Sequence, residues 1–105
     1  MAQFHVYRNL SASSKKTTPY LLDVQSNLLS ELASRVVVPL RLVKHYSGKP
    51  LATLMPVFQI EDHQVFALTQ QLAAISTKDI GTPVADLSEH HYQIIAALDF
   101  LISGF

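Results

Sequence analysis

The sequence predicts a small β-rich domain closed by one C-terminal helix. Three observations carry that expectation. Residues 3–80 break into short runs rich in Val, Ile, Leu, Tyr and Phe, bounded by Pro, Gly, Ser or Asn. From Leu87 onward the period changes: Leu87, His91, Ile94, Ile95, Leu98, Leu101 and Ile102 recur at helical spacing. The chain has 105 residues, 49% of them apolar, which suits one modest core and is too hydrophobic for disorder.

The elements follow in order. Gln3 to Arg8 alternates, with Phe4 and Val6 on one face and Gln3, His5 and Tyr7 on the other, so it reads as a strand. Asn9 to Thr18 is small, polar and basic, a loop or long hairpin connection. Pro19 introduces a second strand, Tyr20 to Val24, since proline can open a strand but lacks the N–H its middle needs. Asn27 to Ser34 is too short for a full helix and reads as an irregular connection or one helical turn. Arg35 to Val43 is densest in β-branched residues, and Pro39 inside it predicts an edge position or a bulge.

Lys44 to Leu51, with Ser47, Gly48 and Pro50, is a surface loop. Val57–Ile60 and Gln64–Leu68 flank Glu61-Asp62-His63 as a hairpin. Leu72–Ile75 and Lys78–Ile80 are short strands, and Gly81-Thr82-Pro83 reads as a turn. Asp86 with Glu89 resembles a capping box for the helix, with Ser88 as the alternative N-cap. Gly104 stands where a helix ends. The stripe makes Leu87, His91, Ile94, Ile95 and Leu98 core residues. No linker or repeat divides the chain, so residues 1–105 are expected to form one domain.

Charge narrows the function classes. The formal net charge is zero, yet residues 1–49 hold seven basic and two acidic side chains, a net +5, and residues 50–105 a net −5. Neutrality argues against a surface built for nucleic acid, and the division suggests two faces of opposite sign. With no cysteine there is no disulfide and no thiolate chemistry. The N-terminus does not read as a signal peptide and no apolar run is long enough to span a membrane, so the expected place is the cytoplasm. The five histidines show no ligating pattern: His90 and His91 are adjacent and diverge by about 100° on a helix. Glu61-Asp62 reads as a solvated turn, and no nucleotide-binding or nucleophile motif is present. The residues therefore predict no catalytic set, no metal and no cofactor.

Several segments together resemble one family. They are Gln3-Phe4 with Val6-Tyr7, Asp23-Val24-Gln25-Ser26 followed by Leu28-Leu29, and Arg35-Val36-Val37-Val38-Pro39-Leu40. Met55-Pro56-Val57-Phe58-Gln59-Ile60 and Val84-Ala85-Asp86-Leu87-Ser88 leading to the terminal helix complete the set. In order and over the whole chain they resemble CcdB, the toxin of a type II bacterial toxin–antitoxin module. The resemblance implies an SH3-like, strongly bent antiparallel sheet or barrel with a small accessory three-stranded sheet and a C-terminal α-helix. It implies a homodimer that is not an enzyme. That dimer binds the A subunit of DNA gyrase at its coiled-coil gate and traps gyrase with cleaved DNA, stalling replication and transcription. It implies neutralisation by a CcdA-like antitoxin, through which the complex binds operator DNA and represses transcription. No membrane and no small-molecule substrate are implied.

By the same resemblance, gyrase would be met by Ser103, Gly104 and Phe105, with Ile102, Asp99, Leu28 and Leu29 around them. Ser103 stands where the best-known member has tryptophan, Asp99 where an amide is found, and Phe105 where a terminal aliphatic is found. An aromatic lost at Ser103 costs about 2 kcal/mol of binding on the scale of interface hot spots. The antitoxin would be met by the two basic loops, through Arg8, Lys15, Lys16, Leu42, Lys44 and Lys49. Two further readings stand beside the gyrase poison. One is an endoribonuclease of the MazF and Kid type on the same fold; the other is a non-toxic homologue that only binds antitoxin.

Overall fold

The computed structural model describes residues 1–104. Among the described residues seven strands form in chain order: β1 (His5–Asn9), β2 (Tyr20–Asp23), β3 (Ser34–Leu42), β4 (Val57–Ile60), β5 (His63–Ala67), β6 (Ala73–Ser76) and β7 (Ile80–Asp86). One α-helix follows, α1 (His91–Ser103). Every strand pairing is antiparallel, in the order β4-β5-β3-β2-β1-β7, with β6 as a branch on β3. The sheet curls into a half-barrel. Arg8 on β1 reaches Glu61 in the β4–β5 turn at 2.9 Å, although β2, β3 and β5 lie between them in the sheet order. This is the β-rich fold with a C-terminal helix that the sequence predicts.

Several local expectations change. Lys78 and Asp79 form no strand: they lie in a 3-10 turn (Thr77–Asp79), and Ile80 opens β7. β1 starts at His5 rather than Gln3, because Phe4 adopts a positive φ of 68°. That conformation lets Phe4 N donate to Asp23 O at 2.6 Å while Phe4 O accepts from Leu87 N at 2.9 Å. The same residue thus ties β2 to the approach of the helix. Pro39 lies neither at an edge nor in a bulge but in the middle of a central strand, opposite Leu21. Its carbonyl accepts from Leu68 N at 3.0 Å, so its ring nitrogen faces that same flank. There the partner changes from β6, which pairs residues 34–37, to β5, which pairs residues 40–42. The missing N–H falls in the gap between two ladders and costs no bond.

Gly81-Thr82-Pro83 is no turn but part of edge strand β7, whose pairing with β1 shifts register on both sides of Tyr7. These irregularities absorb the proline at an edge, where its lost donor is tolerated. A Cβ at Gly81 would approach Arg8 Cβ and Leu10 Cδ2 to 3.0 Å, so close strand contact explains the glycine. Asn27–Leu29 does form a single 3-10 turn. Glu61 and Asp62 alone connect β4 to β5, with Glu61 at a φ of 54°.

The inner face of the sheet carries Val6, Leu22, Val38, Leu40, Ile60 and Val65, and Leu87 and Ile94 pack onto it. Tyr7, Leu21, Val37 and Ile80 make a smaller cluster on the opposite face. A third joins Leu54, Met55 and Leu68 to Phe100 and Leu101 of α1. The helix buries Ile94 and Ala97 rather than Ile95, which is 40% exposed; His91 and Leu98 are half-buried. Asp86 Oδ1 accepts from Ser88 N and from its hydroxyl, so aspartate starts a 3-10 turn (Ser88–His90) and α1 begins only at His91. Gly104 closes the helix in the left-handed region, with its N–H donated to Phe100 O at 2.9 Å. Among the described residues no helix is long and apolar enough to cross a membrane.

Candidate functional site

A buried polar network positions the first part of the site. Arg35 and Asp23 are both sequestered, 1% and 0% exposed. Asp23 Oδ2 accepts from Arg35 Nε at 2.9 Å and from Nη2 at 2.6 Å, while Asp23 Oδ1 accepts from Gln25 N at 2.9 Å. The Gln25 side chain then accepts from Val36 N and donates to Leu29 O, each at 2.9 Å. Ser26 completes the turn by accepting from Leu28 N at 3.2 Å. The segment is thus held from below at both ends, and Leu28 projects into solvent, 93% exposed, with Leu29 half in water beside it. Two adjacent leucines that add nothing to any of the three core clusters are costly to expose and need another reason.

The second part is the outer face of α1. Tyr92, Ile95, Asp99 and Ile102 follow the i, i+3, i+7, i+10 rhythm and share one stripe. Tyr92 is 80% and Ile102 81% exposed. Asp99, Ser103 and Gly104 are exposed as well, so the stripe runs to the end of the helix. Phe105 lies outside the described residues. The helix therefore has two apolar stripes, of which only the one through Ile94, Ala97 and Leu101 meets the sheet. Tyr92 and Ile95, the latter expected in the core, extend the surface beyond the residues the resemblance names. The second stripe is present in the sequence, but its exposure depends on where the sheet stops.

The basic loops form the third part. Asn9 organises the first: its Nδ2 donates to Ser14 Oγ at 2.9 Å and to Thr18 O at 2.8 Å, and its Oδ1 accepts from Ser11 N at 3.0 Å. Leu42 N donates to Thr17 O at 2.9 Å, which brings the Lys15-Lys16 loop beside the start of the Val43–His45 turn that carries Lys44. Lys15, Lys16, Lys44 and Lys49 are exposed. Two of the named residues have other occupations. Leu42 is buried in the main cluster and supports the loop from beneath. Arg8 sits on β1 and bonds both carboxylate oxygens of Glu61, at 2.9 and 3.4 Å, so much of its charge is compensated. Arg41, which sequence reasoning passed over, joins the basic set between the two loops through Thr17 Oγ1 and His45 O.

The +5/−5 division survives only in part. Arg35–Asp23 is internal to the first half, and Arg8–Glu61 joins the two halves. The histidines are dispersed: His91 donates to Ser88 O and stacks on Phe4, His90 lies against Phe58, and His63 lies near Tyr20. His5 faces Asp86 at 3.6 Å, and hydrogen bonds from Ser88 hold the Asp86 carboxyl below its ordinary value.

The fold is similar to that of a mycobacterial endoribonuclease solved in complex with its cognate antitoxin. The TM-score is 0.68 at 16% identity, over 97% of this chain and 94% of that one. At that identity the likeness concerns the fold. Sequence is more specific: the family model for the CcdB protein matches residues 3–104, nearly the entire chain, from the first strand through the glycine that ends the helix. The chain belongs to the CcdB family.

Proposed function

We propose that this protein is a toxin that poisons DNA gyrase and is neutralised by a CcdA-like antitoxin. Family membership supports a toxin of a toxin–antitoxin system. The observation that carries the gyrase reading is the pair of unspent apolar surfaces at the expected positions: Leu28 with Leu29, and the α1 stripe ending at Ile102. Packing among the described residues gives neither a reason. The reading has the toxin act as a homodimer, with the α1 end, Asp99, Ile102, Ser103, Gly104 and Phe105, meeting the gyrase A subunit while Leu28 and Leu29 press beside it. A two-fold assembly repeats each contact on both protomers. Gyrase held with cleaved DNA then blocks replication and transcription, and the toxin makes and breaks no covalent bond.

The antitoxin is proposed to dock on Lys15, Lys16, Lys44 and Lys49, with Arg8 at the margin and Leu42 supporting the loop from beneath. An acidic partner segment would be drawn quickly to that cluster. The endoribonuclease reading draws on the shared fold alone, and fold does not decide activity. Induction in cells with wild-type gyrase and in cells altered at the gyrase gate tests the proposal. Killing confined to the wild-type strain is expected; equal killing of both would remove gyrase as the target.

A further inference from the structure

A cavity of about 630 Å³ opens on the face of the sheet away from the helix, and the gyrase reading makes no use of it. Its floor is apolar, made by Leu21, Pro39 and Ile75. Its wall is the 9–18 loop, which contributes Asn9, Ser11, Ser13, Ser14, Thr17 and Thr18. That wall is built in advance. Asn9, 8% exposed, holds Ser11, Ser14 and Thr18 together, and the backbone closes its own turns through Ser14 N to Ser11 O and Thr18 N to Ser14 O. A polar loop with so many internal bonds loses little freedom when a ligand enters.

Two charged residues, Arg41 and Asp79, line the cavity. Arg41 donates from Nε and Nη2 to His45 O at 3.2 and 3.1 Å, and from Nη1 only a long 3.5 Å bond to Thr17 Oγ1. Among the described residues no carboxylate lies within ion-pair distance of it. Asp79 lines the cavity as well, and it too makes no ion pair among the described residues. A guanidinium suits a phosphate, a carboxylate suits hydroxyl or amino donors, and the serine and threonine hydroxyls serve either. The apolar floor suits a flat ring. The volume matches the lower half of the ordinary range for small-ligand sites.

The geometry points to a nucleotide site: Arg41 and the Ser13–Thr17 hydroxyls take the phosphate, Asp79 takes the sugar hydroxyls, and Leu21, Pro39 and Ile75 carry the base. No glycine-rich cradle is involved, which is why motif reading finds nothing here. Lys15 and Lys16, exposed on the same loop and also used by the antitoxin reading, add positive potential to this side of the molecule. The site binds; no chemical step is assigned to it.

The test is a titration of the isotopically labelled full chain followed by two-dimensional NMR. Adenosine 5′-monophosphate and uridine 5′-monophosphate are the probes, with ribose and inorganic phosphate as separate arms. Saturable shifts at residues 11–18, Arg41 and Asp79 are expected, with the nucleotides binding at least about tenfold tighter than either fragment. Arg41→Gln should weaken binding by about tenfold or more, as loss of a charge-assisted bond does. Ser13→Trp, at an exposed rim position that leaves the Asn9 frame intact, should obstruct the site. A short single-stranded RNA distinguishes the source of the ligand: tighter binding at the same residues assigns the cavity to a nucleotide within RNA, equal or weaker binding to a free one. No saturable shift at millimolar nucleotide, or shifts undiminished in both variants, would overturn the assignment.

Discussion

The Tyr20 hydroxyl donates a 2.6 Å hydrogen bond to Oε1 of Glu61, fastening β2 to the β4–β5 turn across the curl of the sheet. Burial, and then this bond to a carboxylate, pushes the Tyr20 phenol up to about 12. Its neutral form is favoured by folding, so its contribution is complete below the ordinary tyrosine value near 10 and is lost as pH rises through about 12. Spectrophotometric titration should show a tyrosine step ionising late, and Tyr20→Phe should remove that step. A titration with no such late step would contradict the burial of this bond.

Glu61 has the opposite sign. Hydrogen bonds from Tyr20 and then Arg8 hold its carboxyl below the ordinary 4.5. Its contribution is present above that value and disappears as pH falls through the lowered folded one. The stability difference between the wild type and Glu61→Gln, measured by urea unfolding, should therefore shrink steadily below about pH 4.5. A constant difference down to pH 2 would mean that the carboxylate charge is not what the turn uses.

Arg35→Met leaves the Asp23 carboxylate buried without its partner, and should destabilise the fold by about 3–5 kcal/mol. The double change Arg35→Met with Asp23→Leu should cost clearly less than the sum of the two single changes, since neither charge is then stranded. Because the network also holds Gln25 and Leu29, the single change should loosen the Leu28 tip, seen as faster amide exchange over residues 26–30. Additive costs would show that the pair is not coupled.

How much of this was legible in the sequence depends on what each residue answers to. The switch from strand runs to helical spacing near Leu87, and the β-branched run from Arg35 to Val43, follow from local periodicity; the strand formed within a residue of its expected bounds, and the helix formed four residues later, at His91. Pro39 answers instead to which strands lie on its flank, a fact of topology that no local rule contains. Gly81 and Pro83 gave a true signal of irregularity, but an edge strand with shifted register satisfies it as well as a turn does. On the helix, Ile94 and Ile95 point within about 100° of each other, and period alone does not say that the sheet reaches only one of them. Arg35 and Arg41 look alike in a charge count, yet one is buried against Asp23 and the other borders a cavity.

Leu28→Asp and Ile102→Asp alter side chains that face water, so each should change stability by less than about 0.5 kcal/mol. Both should nonetheless abolish association with gyrase A while leaving antitoxin binding intact. Ser103→Trp should act the other way, tightening the gyrase complex by about tenfold or more through a large buried contact. Unfolding curves measured beside the binding assays separate lost surface from lost fold.

Direct titration of the gyrase A coiled-coil fragment with the purified protein tests the central claim. The account predicts a saturable complex of toxin dimer with gyrase A dimer, abolished by deleting Ser103–Phe105 from a chain that still binds its antitoxin. A folded, antitoxin-competent protein that shows no binding to the fragment at micromolar concentration would contradict it.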